Sequence, residues 1–162
     1  QDFNCIGNVN GRQGIGYSVD KLLYILEGLL FGGGDRLPAI LIGCGRLGTA
    51  VSSFIANNNN GFTLIAAFDV KPELMGQTIS GIPIRPLDSL EDFCSEHHPQ
   101  MAVLCVPRSG AEQISGRLVE LGIRGYWNFS HYDLSVPYPD AVAENVHLGD
   151  SLMSLGYRLR ND

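Results

Sequence analysis

The segment Leu37-Pro38-Ala39-Ile40-Leu41-Ile42-Gly43-Cys44-Gly45-Arg46-Leu47-Gly48 limits the possible folds more than any other part of the chain. An apolar run passes directly into G-x-G-x-x-G, and a helix-forming segment follows. A second apolar run, Phe62 to Phe68, then ends on Asp69, about 20 residues beyond Gly48. Strand, glycine turn, helix, strand and acid in that order form a dinucleotide-binding fingerprint. Gly43 permits the tight turn, Gly45 lets the main chain approach a pyrophosphate, and Gly48 allows helix to pack closely on strand. The helix start offers N–H groups and partial positive charge to phosphate. Asp69 can accept hydrogen bonds from an adenosine ribose and repel a 2′-phosphate, which favours NAD(H) over NADP(H), although the neighbouring Lys71 would tolerate such a phosphate. The plainer alternative is a doubly wound domain whose glycines serve only the turn.

The surrounding pattern supplies the rest of an α/β fold. Expected strands are Pro38 to Ile42, Phe62 to Phe68, Met101 to Val106, Gly125 to Phe129 and Ala141 to Val146. The run Met101 to Val106 is continuously apolar, as befits a central parallel strand covered on both faces. Helical spacing predicts helices over Leu47 to Ala56, Ser109 to Leu121 and Leu148 to Leu159, and a brief one capped by Ser89 and running to Glu96. The segment Gly81-Ile82-Pro83-Ile84 reads as a short extended crossover. Alternating strands and helices at this pitch imply a doubly wound parallel sheet of Rossmann type. Before it, Ser18 caps a helix with Val19, Leu22, Leu23 and Leu26 on one face, and Gly32-Gly33-Gly34 ends it.

Bulk properties narrow the class further. With 162 residues, 44% hydrophobic, the chain can bury one domain. No apolar stretch approaches the roughly 18 residues of a membrane helix. The start has neither the basic end nor the apolar core of a signal peptide and lacks Met, so a cytoplasmic fragment or processed form is expected. A net charge of −6 disfavours gripping a nucleic-acid backbone, so any DNA contacts must come mostly from elsewhere. Cys44 and Cys105 read as small buried thiols, reduced in that compartment. Cys94-x-x-His97-His98 has no second ligand cluster, so it reads as an exposed polar turn and no metal is expected.

Ligands of such sheets bind beyond the carboxyl ends of the strands. The loops Gly43–Gly48, Asp69–Lys71, Val106–Arg108 and Asn128–Ser130 are therefore expected to assemble one site. Within it, Gly43, Cys44, Gly45, Arg46, Leu47 and Gly48 take the pyrophosphate, and Arg46 points either to phosphate or to solvent. Asp69 takes the ribose, Val70 packs on adenine, and Val106 and Pro107 shape the pocket of the second half. Asn128 either pairs with a carboxamide or satisfies a turn of its own backbone. His131 is the one tempting base, with a solvated histidine as the alternative. Without a substrate domain, a binding or sensing role outweighs catalysis.

Several ordered segments carry a more specific likeness: Gly14-Ile15-Gly16-Tyr17-Ser18-Val19, the glycine turn, Ala67-Phe68-Asp69-Val70-Lys71-Pro72-Glu73, Gly81-Ile82-Pro83-Ile84, Val106-Pro107, Gly125-Tyr126-Trp127-Asn128-Phe129 and Glu144-Asn145-Val146. Together they resemble the bacterial redox-sensing transcriptional repressor family Rex. The resemblance implies a winged-helix DNA-binding domain followed by a Rossmann domain that senses the NADH/NAD⁺ ratio. Residues 1–16 would be the last wing, 17–36 a linking helix, 37–147 the nucleotide domain, and 148–162 a helix exchanged between subunits of a homodimer. NADH would favour a closed dimer that releases operator DNA.

The likeness has a gap. Relatives pair an aromatic hydroxyl on the first Rossmann helix with an Asp at the start of the exchanged helix, and a Phe beside that Asp lines the nicotinamide pocket. The matching positions here are Phe54, His147 and Leu148, which implies a divergent switch, with His147 either conferring pH sensitivity or simply solvated. Two other readings stay open. One is the cofactor domain of an oxidoreductase. The other is a CoA-binding domain, against which Asp69 speaks because CoA carries a ribose 3′-phosphate. A regulatory domain of a transporter shares the layout, but residues 1–30 lend it no support.

Overall fold

The computed structural model describes residues 36–57 and 60–161. The expected wing, linking helix and glycine stop before residue 36 lie outside the described residues. Strands β1 (Leu37–Ile42), β2 (Phe62–Asp69), β3 (Thr78–Ile79), β4 (Ile82–Pro86), β5 (Met101–Leu104), β6 (Gly125–Asn128) and β7 (Val142–Asn145) form one sheet in the order β3-β4-β2-β1-β5-β6-β7. All neighbouring pairs are parallel except β3 with β4. The chain leaves β1 on one side for β2 and returns on its other side as β5, so the strand order reverses between β1 and β5. A crevice must open there, because the connections diverge to opposite faces.

Helices α1 (Arg46–Asn57), α2 (Leu90–His97) and α3 (Arg108–Glu120) link these strands, and α4 (Leu148–Asn161) ends the described chain. Boundaries differ from the sequence expectation by a residue or two, with β5 ending earlier, at Leu104. The short helix is α2, but Ser89 does not cap it through its side chain. Its hydroxyl instead donates to the Pro86 carbonyl at 2.8 Å, inside a 3-10 turn that precedes the helix.

Side chains alternate across the sheet and build two cores. Ile40, Ile42, Phe68 and Leu104 meet α2 and α3 on one face; Ala39, Leu41, Leu64 and Val103 meet α1 on the other. A register shift lets β2 serve both: Ala39 pairs Leu64 but Ile40 pairs Ala66, so Ile65 is an extra residue. Among the described residues, two helices cover the first face and one covers the second. The second face consequently keeps a concavity of about 570 Å³ beside Phe54 and Ile55 of α1. It gathers the first residues of β1, β2, β5, β6 and β7, the amino-terminal edge of the sheet.

Candidate functional site

Beyond the carboxyl ends of β1 and β5, the glycine turn is fixed by contacts that only glycine allows. Gly43 sits at φ 99°, and a Cβ there would fall inside the carbonyl of Cys105 at the end of β5. A Cβ on Gly48 would strike the Gly43 carbonyl, so α1 lies directly against the turn. Gly45 differs, because a Cβ there meets nothing within 4 Å and would project into open, exposed space. Gly43 and Gly48 are required by the protein itself. Gly45 keeps its main chain bare toward open space, a fit for the close approach of a pyrophosphate.

The end of β2 clamps this turn. The Asp69 carboxylate accepts the Cys44 N–H at 2.7 Å and the Lys71 N–H at 3.0 Å, and the Gly43 N–H donates to the Phe68 carbonyl at 2.9 Å. Each carboxylate oxygen keeps acceptor capacity for a ribose hydroxyl. Burial, and then the Asp69 charge, push the Cys44 thiol up to about 12; burial and Cys44 do the same for Cys105. Neither is a nucleophile near neutral pH. Cys94, expected in an exposed turn, is instead core: it is 2% exposed on α2, and burial raises its thiol to about 11. His97, the last residue of α2, and His98, which follows it, are both exposed.

A cleft of about 240 Å³ runs from the glycine turn across the switch point and is lined by Gly43, Asp69, Val70, Val106 and Pro107. Three of the four expected loops therefore meet. Helix α1 starts behind the turn and α3 behind Pro107, and neither has an acidic residue in its first turn. Their positive ends are left for an anion in the cleft. The far wall was not anticipated: Gly110, Gln113 and Arg117 lie on one face of α3, at a spacing of three and four residues that could have marked it. Arg117 does not await a phosphate. Its guanidinium binds both Glu91 carboxylate oxygens, at 2.7 and 2.8 Å, and this hydrogen bonding holds the Glu91 carboxyl below its usual range. Arg46 and Lys71 are exposed, while Cys44 is buried and Leu47 half-buried.

The fourth loop does not join the cleft. Asn128 is 1% exposed, and its amide nitrogen donates to the Tyr132 carbonyl and to Asn145 Oδ1, while its Oδ1 accepts from the Ser130 N–H and hydroxyl. Of the two roles open to Asn128, the structure shows the turn of its own backbone, tied to β7. His131 is likewise no base in the crevice: its Nδ1 lies 3.0 Å from Nδ1 of His147, immediately before α4.

The switch candidates fall on the thinly covered face and on α4. Phe54 is half-exposed and tilts against Trp127, 6.3 Å between ring centroids, and Trp127 packs edge-on to Phe129 at 5.0 Å. Helix α4 buries none of its residues; Leu148, Leu152, Leu155 and Leu159 are all exposed, with Met153 and Tyr157. No helix among the described residues is long and apolar enough to cross a membrane.

A family profile described as "CoA binding domain" matches residues 36–132, from the start of β1 to the turn after β6. Over all 162 residues the chain is 39% identical to the redox-sensing transcriptional repressor Rex of Caldanaerobacter subterraneus subsp. tengcongensis, covering 71% of that protein. It is 40% identical to the Clostridium perfringens repressor of the same name, covering 75%. Among solved structures it resembles RSP in complex with β-NAD⁺ and operator DNA (TM-score 0.74, 37% identity, 98% of this chain and 71% of that one). It also resembles RSP with β-NADH (TM-score 0.73, 35% identity, 87% and 68%). UDP-D-quinovosamine 4-dehydrogenase from Vibrio fischeri, at 16% identity and TM-score 0.53 over 65% of this chain and 87% of that one, shares the fold alone. Identity of 39% and 40% over all 162 residues, with 71% and 75% of those proteins covered, separates these repressors from a merely shared architecture, and the chain belongs to the redox-sensing transcriptional repressor family Rex.

Proposed function

We propose that the chain senses the NADH/NAD⁺ ratio in the crevice beyond β1 and β5 and acts as a regulator rather than a catalyst. The observation that carries this is Gly45, which is bare toward open space although the protein's own packing does not require a glycine there. The turn Gly43–Gly48 and the start of α1 hold the pyrophosphate, Asp69 the adenosine ribose and Val70 the adenine, with Arg46 and Lys71 at the rim. Val106 and Pro107 bound the second half. The ligand brings redox state and a nicotinamide charge; this chain binds, orients and excludes water. With Asn128 committed to its own turn, His131 facing His147 and Asp69 holding two main-chain amides, none of these three is left as a proton-transfer group in the cleft, which supports regulation over hydride transfer.

Helix α4 pairs two copies of the chain, and occupancy of the crevice biases that homodimer toward a form that releases operator DNA. The support is a helix with no buried residue and an apolar stripe, together with an apolar concavity on the thin face of the sheet. A ligand moves such an equilibrium only by its unequal affinity for the two forms. Operator contacts fall to residues before the nucleotide domain, since the net charge is −6. A DNA partner puts the chain in the cytoplasm.

Calorimetry of the full chain with NADH, NAD⁺, NADPH and CoA tests the reading. NADH should bind most tightly, NAD⁺ more weakly, and NADPH at least about tenfold more weakly than NADH, because Asp69 repels a 2′-phosphate. Preferential binding of CoA would reassign the crevice to a CoA-binding role.

A further inference from the structure

We propose that His131, His147 and Asp150 bind one late first-row divalent cation of the Zn²⁺ type, at a site apart from the nucleotide crevice. Three segments bring the ligand atoms together. His131 follows β6, with φ 68° and its carbonyl accepting from Arg108 at 3.4 Å. His147 joins β7 to α4: the preceding Val146 N–H is held by the Asn128 carbonyl at 2.8 Å, and the His147 carbonyl accepts the Ser151 N–H at 3.3 Å in the first helical turn. Asp150 stands three residues on, so it shares a helix face with His147.

The two Nδ1 atoms are 3.0 Å apart, Asp150 Oδ2 is 4.0 Å from His147 Nδ1, and all three ligand atoms lie within 4.8 Å of one another. Ligands held at about 2.0–2.2 Å around a tetrahedral Zn²⁺ stand roughly 3.3 Å from each other. Side-chain rotation of the exposed Asp150 closes the difference. Two neutral imidazoles and one carboxylate select a borderline cation over Ca²⁺ or Mg²⁺, which take oxygen ligands, and three protein ligands leave a coordination position open. A dication engages all three groups and tethers the first turn of α4 to the loop after β6.

The test uses the full chain, stripped with EDTA and desalted, titrated with ZnCl₂ against a chromophoric chelator. One Zn²⁺ per chain with micromolar affinity is expected. His131→Gln and His147→Gln should each weaken it at least tenfold and Asp150→Asn several-fold, while His97→Gln with His98→Gln leaves it unchanged. Because all these side chains are exposed, circular dichroism of the variants should match the parent. Nitrogen NMR of the histidine rings in the unaltered chain gives a second readout: Zn²⁺ should move the His131 and His147 signals and leave His97 and His98 in place. Binding that survives both His131→Gln and His147→Gln, affinity no better than millimolar, or unmoved His131 and His147 signals would overturn the assignment.

Discussion

The glycine crevice and the terminal helix are built on opposite principles. Around the crevice the framework is built by contacts within the chain: Gly43 and Gly48 fit against main chain, and Asp69 holds two amides. Along α4 nothing is buried, and large apolar side chains meet solvent. Isolated apolar side chains on a surface are ordinary, whereas a helical stripe of them suits the pairing of two copies proposed above. The difference separates recognition from response. Under the proposed function, a crevice within one chain discriminates the ligand and a helix that pairs two chains reports it.

Gly43→Val should break the comparison most sharply. It forces a β-branched side chain to φ 99° and into the Cys105 carbonyl, so stability in urea should fall by about 3 kcal/mol or more. A loss below about 1 kcal/mol would mean that the turn is not rigid. Next, Leu152→Asp with Leu155→Asp should raise the dimer dissociation constant about a hundredfold or more in sedimentation experiments, since each buried Leu contributes about 1.5–3 kcal/mol. An unchanged constant would take the helix out of the interface.

Gly45→Val sharpens the contrast inside the glycine turn. Folding stability should stay within about 1 kcal/mol, because nothing stands within 4 Å of the added Cβ, while calorimetry should show NADH affinity down about tenfold. Equal NADH binding before and after would show that Gly45 faces no ligand. Asp69→Ala should cost a smaller factor, about fivefold for NADH, with relaxed discrimination against NADPH. Selectivity that does not move would refute the ribose contact.

The smallest effect is confined to alkaline pH. Burial holds Cys44, Cys94 and Cys105 above their ordinary value of 9.0, so the folded chain keeps protons that the unfolded chain releases. Stability from these thiols is intact below about pH 9 and declines as pH rises toward their folded values of about 11 to 12. Since α4 carries no cysteine, dimer affinity should stay flat from pH 7 to 9 while urea midpoints begin to drift only above that range. A dimer that weakens first would tie the crevice thiols to the interface.

Much of the crevice was legible because its chemistry is local in sequence: three glycines in six residues, an apolar run on each side, and Asp69 at the next strand end. Less of the remainder was. Asn128 carried two equally reasonable roles until Tyr132, Ser130 and Asn145 closed around its amide. Cys94 looked like part of a polar turn because its neighbours are polar, yet helical rotation carries it into the core. Ser89 has the right residue type for a cap, but a 3-10 turn directs its hydroxyl backward.

By itself, the order of apolar runs, glycines and Asp69 determined a parallel α/β sheet and a nucleotide crevice, since steric limits on a turn and the two-residue period of a strand act between neighbours. Only the tertiary structure decided that α3 walls the cleft, that among the described residues a single helix covers one sheet face, and that His131 meets His147. Those facts depend on which strands lie side by side and how far each helix reaches. Segments distant along the chain are brought within a few ångströms only by the packing of the whole sheet, and no local pattern encodes that separation.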